Sequence, residues 1–254
     1  MEIVSIRHLA FSYGDNFSIS DLNLSINEGE FFGIIGPNGS GKTTLLSLIM
    51  KFIKPKAGDV SVYGKDLSML SHKNLAPTIA YIAQDFNPAY DFTVEEIVEM
   101  GGIARAKGFF DTRVYEEDLE NALRTTNLLN YRKRIFSTLS GGQQRRALIA
   151  RAIYQNTPII VADELVNHLD LGQSLKVMDY LKSLTGMGKT VVGTFHDIMI
   201  AGKYCDRIAL MKNGQLLRVG KPNEVLTKEI ISEVYDVEVD VMPHPQKNYP
   251  IVLI

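Results

Sequence analysis

An α/β fold is predicted, with a mainly parallel sheet, an antiparallel β part near the N-terminus and an inserted helical subdomain. Three patterns predict it. Short apolar runs such as FFGIIG, TIAYIAQ, PIIVADE and TVVGTF read as strands buried on both faces, as parallel sheets require. These runs alternate with helical segments, which is the order of a sheet covered by helices. In the middle of the chain the alternation stops, and a stretch of helical periodicity takes its place.

The elements follow in order. FSIS-DLNLSI alternates apolar and polar residues like a half-buried strand. FFGIIG is a buried strand leading into a Gly-rich turn, TLLSLIMKFI has helical spacing, and GDVSVYG is a strand between glycines. TVEEIVEMGGIARAKG, VYEEDLENALRTTNLL and GGQQRRALIARAIYQ all read as helix, and Thr93 with Glu96 forms a capping-box pattern at the start of the first. PIIVADE and TVVGTF are strands. SLKVMDYLKSLTG and DIMIAGKYC are helices, and RIALMKNGQLLRVG is a hairpin turning at Asn213-Gly214. PNEVL and KEIISEVYDV read as short helices before a Pro-punctuated, extended end. One domain is expected, with a nucleotide-binding core at 1–84 and 156–234, a helical subdomain at 85–155 and a C-terminal extension at 235–254.

Composition narrows the function. The 254 residues are 45% hydrophobic, enough for a substantial core, and a formal net charge of -2 gives no case for a polyanionic partner. Arg132-Lys133-Arg134 is too short a basic run to indicate nucleic acid and reads as a solvated face. The single cysteine, Cys205, cannot form an internal disulfide and reads as a small packed residue. No signal-peptide pattern opens the sequence, and nowhere do about 18 apolar residues run together. A soluble, cytoplasmic protein is expected, whose membrane role must come through a partner.

GPNGSGKT, comprising Gly36, Pro37, Asn38, Gly39, Ser40, Gly41, Lys42 and Thr43, matches the phosphate-loop pattern in full. The glycines let successive N–H groups turn inward toward phosphate oxygens, and the following helix adds its positive end. Lys42 supplies a point charge for the β- and γ-phosphates, and the Thr43 hydroxyl is placed for Mg²⁺. The loop therefore calls for ATP and Mg²⁺, on a P-loop NTPase core. PIIVADE ends a buried strand with Asp163, placed to hold the metal, and Glu164, placed to polarise water. An ordinary solvated turn is the alternative for an Asp-Glu pair at a strand end.

LSGGQ, Leu139 to Gln143, lies between these motifs. In that order the three motifs resemble the ABC-type ATPase family, over roughly residues 1–235. Ser140 and the Gly141 and Gly142 amides open a helix, a second anion-binding end. The resemblance implies a head-to-tail dimer of two copies, with ATP between one phosphate loop, Thr44 included, and the partner's Ser140, Gly141, Gly142 and Gln143. It further implies that Tyr13 stacks on adenine, although a strand aromatic is the alternative. Gln84 would reach metal and water, Asp170 would belong to a dimer-contacting loop, and His196 would contact the γ-phosphate. The catalytic set is then Glu164, His196, Lys42 and Gln84, with Thr43, Gln84 and Asp163 about Mg²⁺. Leu165-Val166 stands where the family usually has Pro-Thr; no ligand is lost, but the loop leading to Asp170 loses a fixed φ.

One phosphate loop, one LSGGQ, no coiled coil and no membrane helix resemble a separate subunit that works on transmembrane permease subunits at the inner face of the cell membrane, with a substrate-binding protein as an indirect partner. AYIAQ, FTVEEIVEMGG, TFHDIMIAGKYCDRIALMKNGQLLRVGKPNEVLT and EVYDVEVDVMPHP are similar to the iron-chelate, haem and cobalamin uptake group. Zinc, manganese or molybdate importers, a split exporter, and a soluble ATPase clamp acting on another macromolecule remain the alternatives.

Overall fold

The computed structural model describes residues 1–14, 16–84, 86–105, 115–167 and 169–253. The chain opens with β1 (Glu2–Tyr13), β2 (Phe17–Asn27), β3 (Phe31–Ile35), α1 (Lys42–Ile49), β4 (Ala57–Val62) and β5 (Lys65–Asp66). It continues through α2 (His72–Leu75), β6 (Ile79–Ile82), α3 (Val94–Glu99), α4 (Glu116–Thr125), α5 (Gly141–Gln155) and β7 (Ile159–Ala162). Then come α6 (Leu171–Thr185), β8 (Thr190–Thr194), α7 (Ile198–Tyr204), β9 (Arg207–Lys212) and β10 (Gln215–Gly220). Last are α8 (Pro222–Val225), α9 (Lys228–Tyr235), β11 (Asp240–Pro243) and β12 (Pro250–Leu253).

The central sheet has six strands in the order β10-β9-β3-β8-β7-β6, parallel except for the β9–β10 hairpin. Successive residues of its strands feed opposite faces, as a period of two demands. On β3, Phe31 and Ile35 join one apolar core while Phe32 and Ile34 join the other, and on β9 Ile208 and Leu210 oppose Ala209 and Met211. All four β3 side chains are fully buried, and each stabilises the fold by about 1.5–3 kcal/mol. One core is closed by α1 and the antiparallel sheet β2-β1-β4-β5, the other by helices from α3 to α9. The phosphate loop, the Asp163–Glu164 pair, Gln84 and His196 therefore follow the carboxyl ends of parallel strands β3, β7, β6 and β8, where open α/β sheets bind ligands.

Several local readings hold in detail. Thr93 and Glu96 make both bonds of the capping box, and Asn213 and Gly214 both take positive φ, 50° and 76°, as a two-residue hairpin turn requires. Cys205 is buried in the core, and burial pushes its thiol up. One reading changes. The helix expected from Thr93 to Gly108 stops at Glu99 and continues as a tighter turn, Met100–Arg105, with the remainder outside the described residues. Gly101 is the reason: a Cβ there would stand 2.4 Å from the Arg151 carbonyl, so the glycine pair serves close approach to α5 rather than helix continuity. The basic run is solvated at Lys133 and Arg134 as expected, and only Arg132 within it is partly buried. Arg132 and Lys133 both bond Glu95, and Arg132 also grips Glu116 at 2.5 and 3.1 Å. No helix among the described residues is long and apolar enough to cross a membrane.

Candidate functional site

The loop between β3 and α1 folds back on itself because its glycines permit it. Gly36 takes φ 149°, and a Cβ there would sit 2.1 Å from the Met211 carbonyl; Gly41 takes φ 102° with the Phe17 ring where a Cβ would go. The loop thus lies against the β9–β10 hairpin, whose Gly214 N–H donates to the Ser40 carbonyl at 2.9 Å. Lys42 opens α1, is 7% exposed, and donates to the Gly36 and Pro37 carbonyls at 2.8 and 3.0 Å. Burial pushes its amine down, while the charges of Glu164 and Asp163 act the other way. Ser40 Oγ is buried and meets no protein partner among the described residues. A buried cation and a buried hydroxyl in a glycine cradle at a helix N-terminus are chemically matched to phosphate oxygens.

β7 ends just before Asp163 and Glu164. Asp163 is 1% exposed, and its Oδ1 accepts the Thr194 hydroxyl at 2.6 Å from the end of the adjacent strand β8. The same Thr194 oxygen accepts the Glu164 N–H at 2.7 Å. Glu164 holds φ 50°, a left-handed conformation that a non-glycine residue adopts only under constraint. Its carboxylate gathers three side chains. Gln84 Nε2 donates to Oε2 at 2.8 Å, Asn167 Nδ2 donates to the same oxygen, and His196 Nε2 stands 2.6 Å from Oε1.

A cleft of ≈ 380 Å³ joins these parts. Its lining takes Asn38, Gly39, Gly41, Lys42, Thr43 and Thr44 from the loop, Glu164 and His196 from the sheet edge, and Tyr13 with Phe17 from the β1–β2 hairpin. Gln84 reaches it through Glu164, while Asp163 lies buried behind. Tyr13 is half-exposed, with its ring centroid 6.4 Å from that of Phe17, its cross-strand partner. Thr43, Asp163 and Gln84 offer oxygen donors of the kind Mg²⁺ takes. No cluster of three or more His, Cys, Asp or Glu able to hold a metal occurs among the described residues.

Two predicted groups lie elsewhere. Ser140 caps α5, accepting the Gln143 N–H at 3.4 Å while Gln143 Oε1 accepts the Ser140 N–H at 3.0 Å, and none of Ser140, Gly141, Gly142 and Gln143 lines the cleft. Asp170 caps α6 by accepting the Gln173 N–H at 2.9 Å. Sequence reasoning missed Phe17, Asn167, Thr194 and Arg145. Phe17 had a readable signal, since it pairs with Tyr13 across the hairpin, and Asn167 lies only three residues beyond Glu164; Thr194 and Arg145 depend on long-range packing.

The fold and the cleft have counterparts among known proteins. A family model described as ABC transporter matches residues 19–167. The iron(3+)-hydroxamate import ATP-binding protein FhuC of Bacillus subtilis (strain 168) is 32% identical over 100% of this chain and 95% of its own length. An uncharacterized ABC transporter ATP-binding protein of the same organism, YvrA, is 37% identical over 97% of the chain, which spans 56% of that longer protein. The dimeric post-hydrolysis structure of the ATP-binding cassette MJ0796 with ADP and Pi superimposes with a TM-score of 0.78 at 34% identity, covering 86% of this chain and 98% of that one. Matched by that model over residues 19–167 and by a curated relative along its whole length, the chain belongs to the ABC transporter family.

Proposed function

We propose that the chain is the ATP-binding and hydrolysing subunit that powers a membrane importer of an iron chelate, haem or cobalamin. One observation carries the hydrolytic part: the phosphate-loop Lys42 and the Glu164–His196 pair line one cleft. In this reading Lys42 and the loop amides bind the β- and γ-phosphates, with Tyr13 against the adenine. Glu164, held by Gln84 and Asn167, orients water for in-line attack, and His196 donates toward the γ-phosphate as charge spreads in the transition state. Mg²⁺, held by Thr43, Asp163 and Gln84, supplies neutralisation of that charge when bound.

Ser140 and the Gly141 and Gly142 amides lie outside the cleft and are left to act on a second copy, which supports a head-to-tail dimer with Asp170 near its seam. The segment 85–155 is the part we assign to the permease, on the inner face of the membrane, with the substrate-binding protein reached only through it. Iron-chelate cargo rests on the sequence likeness and on the name of the FhuC relative. The test is to isolate the tagged chain from gently solubilised membranes and identify what accompanies it. A many-helix permease with a substrate-capturing protein for chelated iron, haem or cobalamin is expected. A zinc, manganese or molybdate permease would discard the cargo alone, and the absence of any membrane partner would discard the transport role.

A further inference from the structure

Arg145, on α5, is a charged side chain only 5% exposed that reaches main-chain oxygens of the catalytic edge. Its guanidinium donates to the carbonyls of Ala83 and Asp163 and, at 2.7 Å, to that of Glu164. Because the guanidinium is planar and rigid, these oxygens from the ends of β6 and β7 are fixed relative to one helix. Glu164 is the residue with the unfavourable φ of 50°. Thr194 holds its N–H and Arg145 its C=O, so the left-handed backbone is clamped on both sides. Strained conformations persist only where the surroundings over-determine them. A second arginine of α5, Arg151, lies 4.8 Å over the Phe86 ring, so α5 grips the Gln84 segment at Ala83 and at Phe86. Arg146 turns the other way, to the Thr126 and Asn127 carbonyls at the end of α4.

We infer that Arg145 is a positioning residue for hydrolysis: it keeps the Glu164 backbone and the approach to Gln84 in register with the helix that begins at Ser140–Gln143. A displacement of α5 would then disturb the water-orienting carboxylate and its glutamine partner together. The inference rests on the hydrolytic reading of Glu164 proposed above.

The experiment compares full-length wild type, Arg145→Met, Arg145→Lys, Glu164→Gln and the double variant Arg145→Met/Glu164→Gln in ATP turnover, ATP affinity and thermal unfolding. Arg145→Met should lower kcat by about tenfold to a hundredfold, the scale of a misplaced catalytic group, with KM and ATP affinity within about twofold because it touches no phosphate ligand. Arg145→Lys should lie between Arg145→Met and wild type. In the Glu164→Gln background the Arg145 change should cost nothing further, since it acts through that carboxylate. A wild-type kcat in either folded Arg145 variant overturns the inference, as does an equal loss of kcat, affinity and stability that persists in the Glu164→Gln background. If Arg145→Met does not fold, the kcat and KM of Arg145→Lys decide. An inactive wild type, or a fully active Glu164→Gln, would instead remove the hydrolytic reading itself and this inference with it.

Discussion

His196 Nε2 and Glu164 Oε1 stand 2.6 Å apart, joining residues just past the ends of neighbouring parallel strands β8 and β7. With the proton on Nε2, His196 is the donor of this bond and Glu164 the acceptor. Gln84 and Asn167 complete the carboxylate's surroundings, so its rotamer is set from three directions.

Glu164→Gln preserves this shape and removes the negative oxygen that, in the proposed mechanism, receives a water proton. Turnover should fall by about a hundredfold to ten-thousandfold, the usual contribution of a positioned general base. ATP binding should stay intact, and with hydrolysis blocked the ATP-loaded chain should elute as a dimer. Steady-state ATPase rates with size-exclusion chromatography check this; an active, monomeric variant contradicts it.

Tyr13 and Phe17 are cross-strand partners at the mouth of the cleft, and the Phe17 ring fills the space over Gly41. Removing Tyr13 should cost about 1–3 kcal/mol of base stacking, near a thirtyfold rise in the ATP dissociation constant at the middle of that range. Phe17→Ala should weaken ATP as well, by leaving Tyr13 without its neighbour. Neither change should alter binding of inorganic tripolyphosphate, which has no base. Calorimetric titration with both ligands separates the two effects, and equal losses for both would place the aromatics on the phosphates instead.

Much of this was legible because it is local. The phosphate loop, the strand-end carboxylates and the cap at Thr93 are each set by neighbouring residues and strand or helix period. Gln84 lies two residues beyond the strand expected to end on it, a boundary that pattern alone does not fix. Arg145 and Thr194 were not legible, since their roles depend on which carbonyl or carboxylate another segment presents, whereas Asn167 bonds Glu164 from three residues on in the same turn. Leu165 shows the same limit. Its identity marked a departure from the family's usual proline, but only the fold reveals it fully buried and in reach of Gly193.

Thr194→Val keeps the shape of a fully buried side chain and deletes a hydroxyl with two partners, Asp163 Oδ1 and the Glu164 N–H. Leaving those groups unsatisfied should cost about 1–3 kcal/mol of stability. The released Glu164 backbone should also lower kcat while ATP affinity holds. Denaturant unfolding together with ATPase kinetics tests both halves, and a variant stable and active as wild type would show that the hydroxyl carries neither.

The Glu95–Arg132–Glu116 cluster ties the first turns of α3 and α4 to the loop between α4 and α5, with Lys133 adding to Glu95. Burial alone would push the Glu95 carboxyl up, but its bonds to Lys133 and Arg132 outweigh this and hold it below the usual glutamate range. A depressed folded pKa means that the unfolded chain binds the proton first. The stabilisation is therefore complete above the unfolded glutamate value of about 4.3 and is lost as pH falls through the lower folded value. Glu95→Gln should be less stable than wild type at pH 7 by about 1 kcal/mol, the scale of a favourable ion pair. The difference should shrink as pH is lowered past about 4, because wild type then loses the same charge. Urea unfolding of both proteins across that range measures it directly. A gap that stays constant with pH would mean that Glu95 contributes through packing and hydrogen-bond shape rather than through its charge.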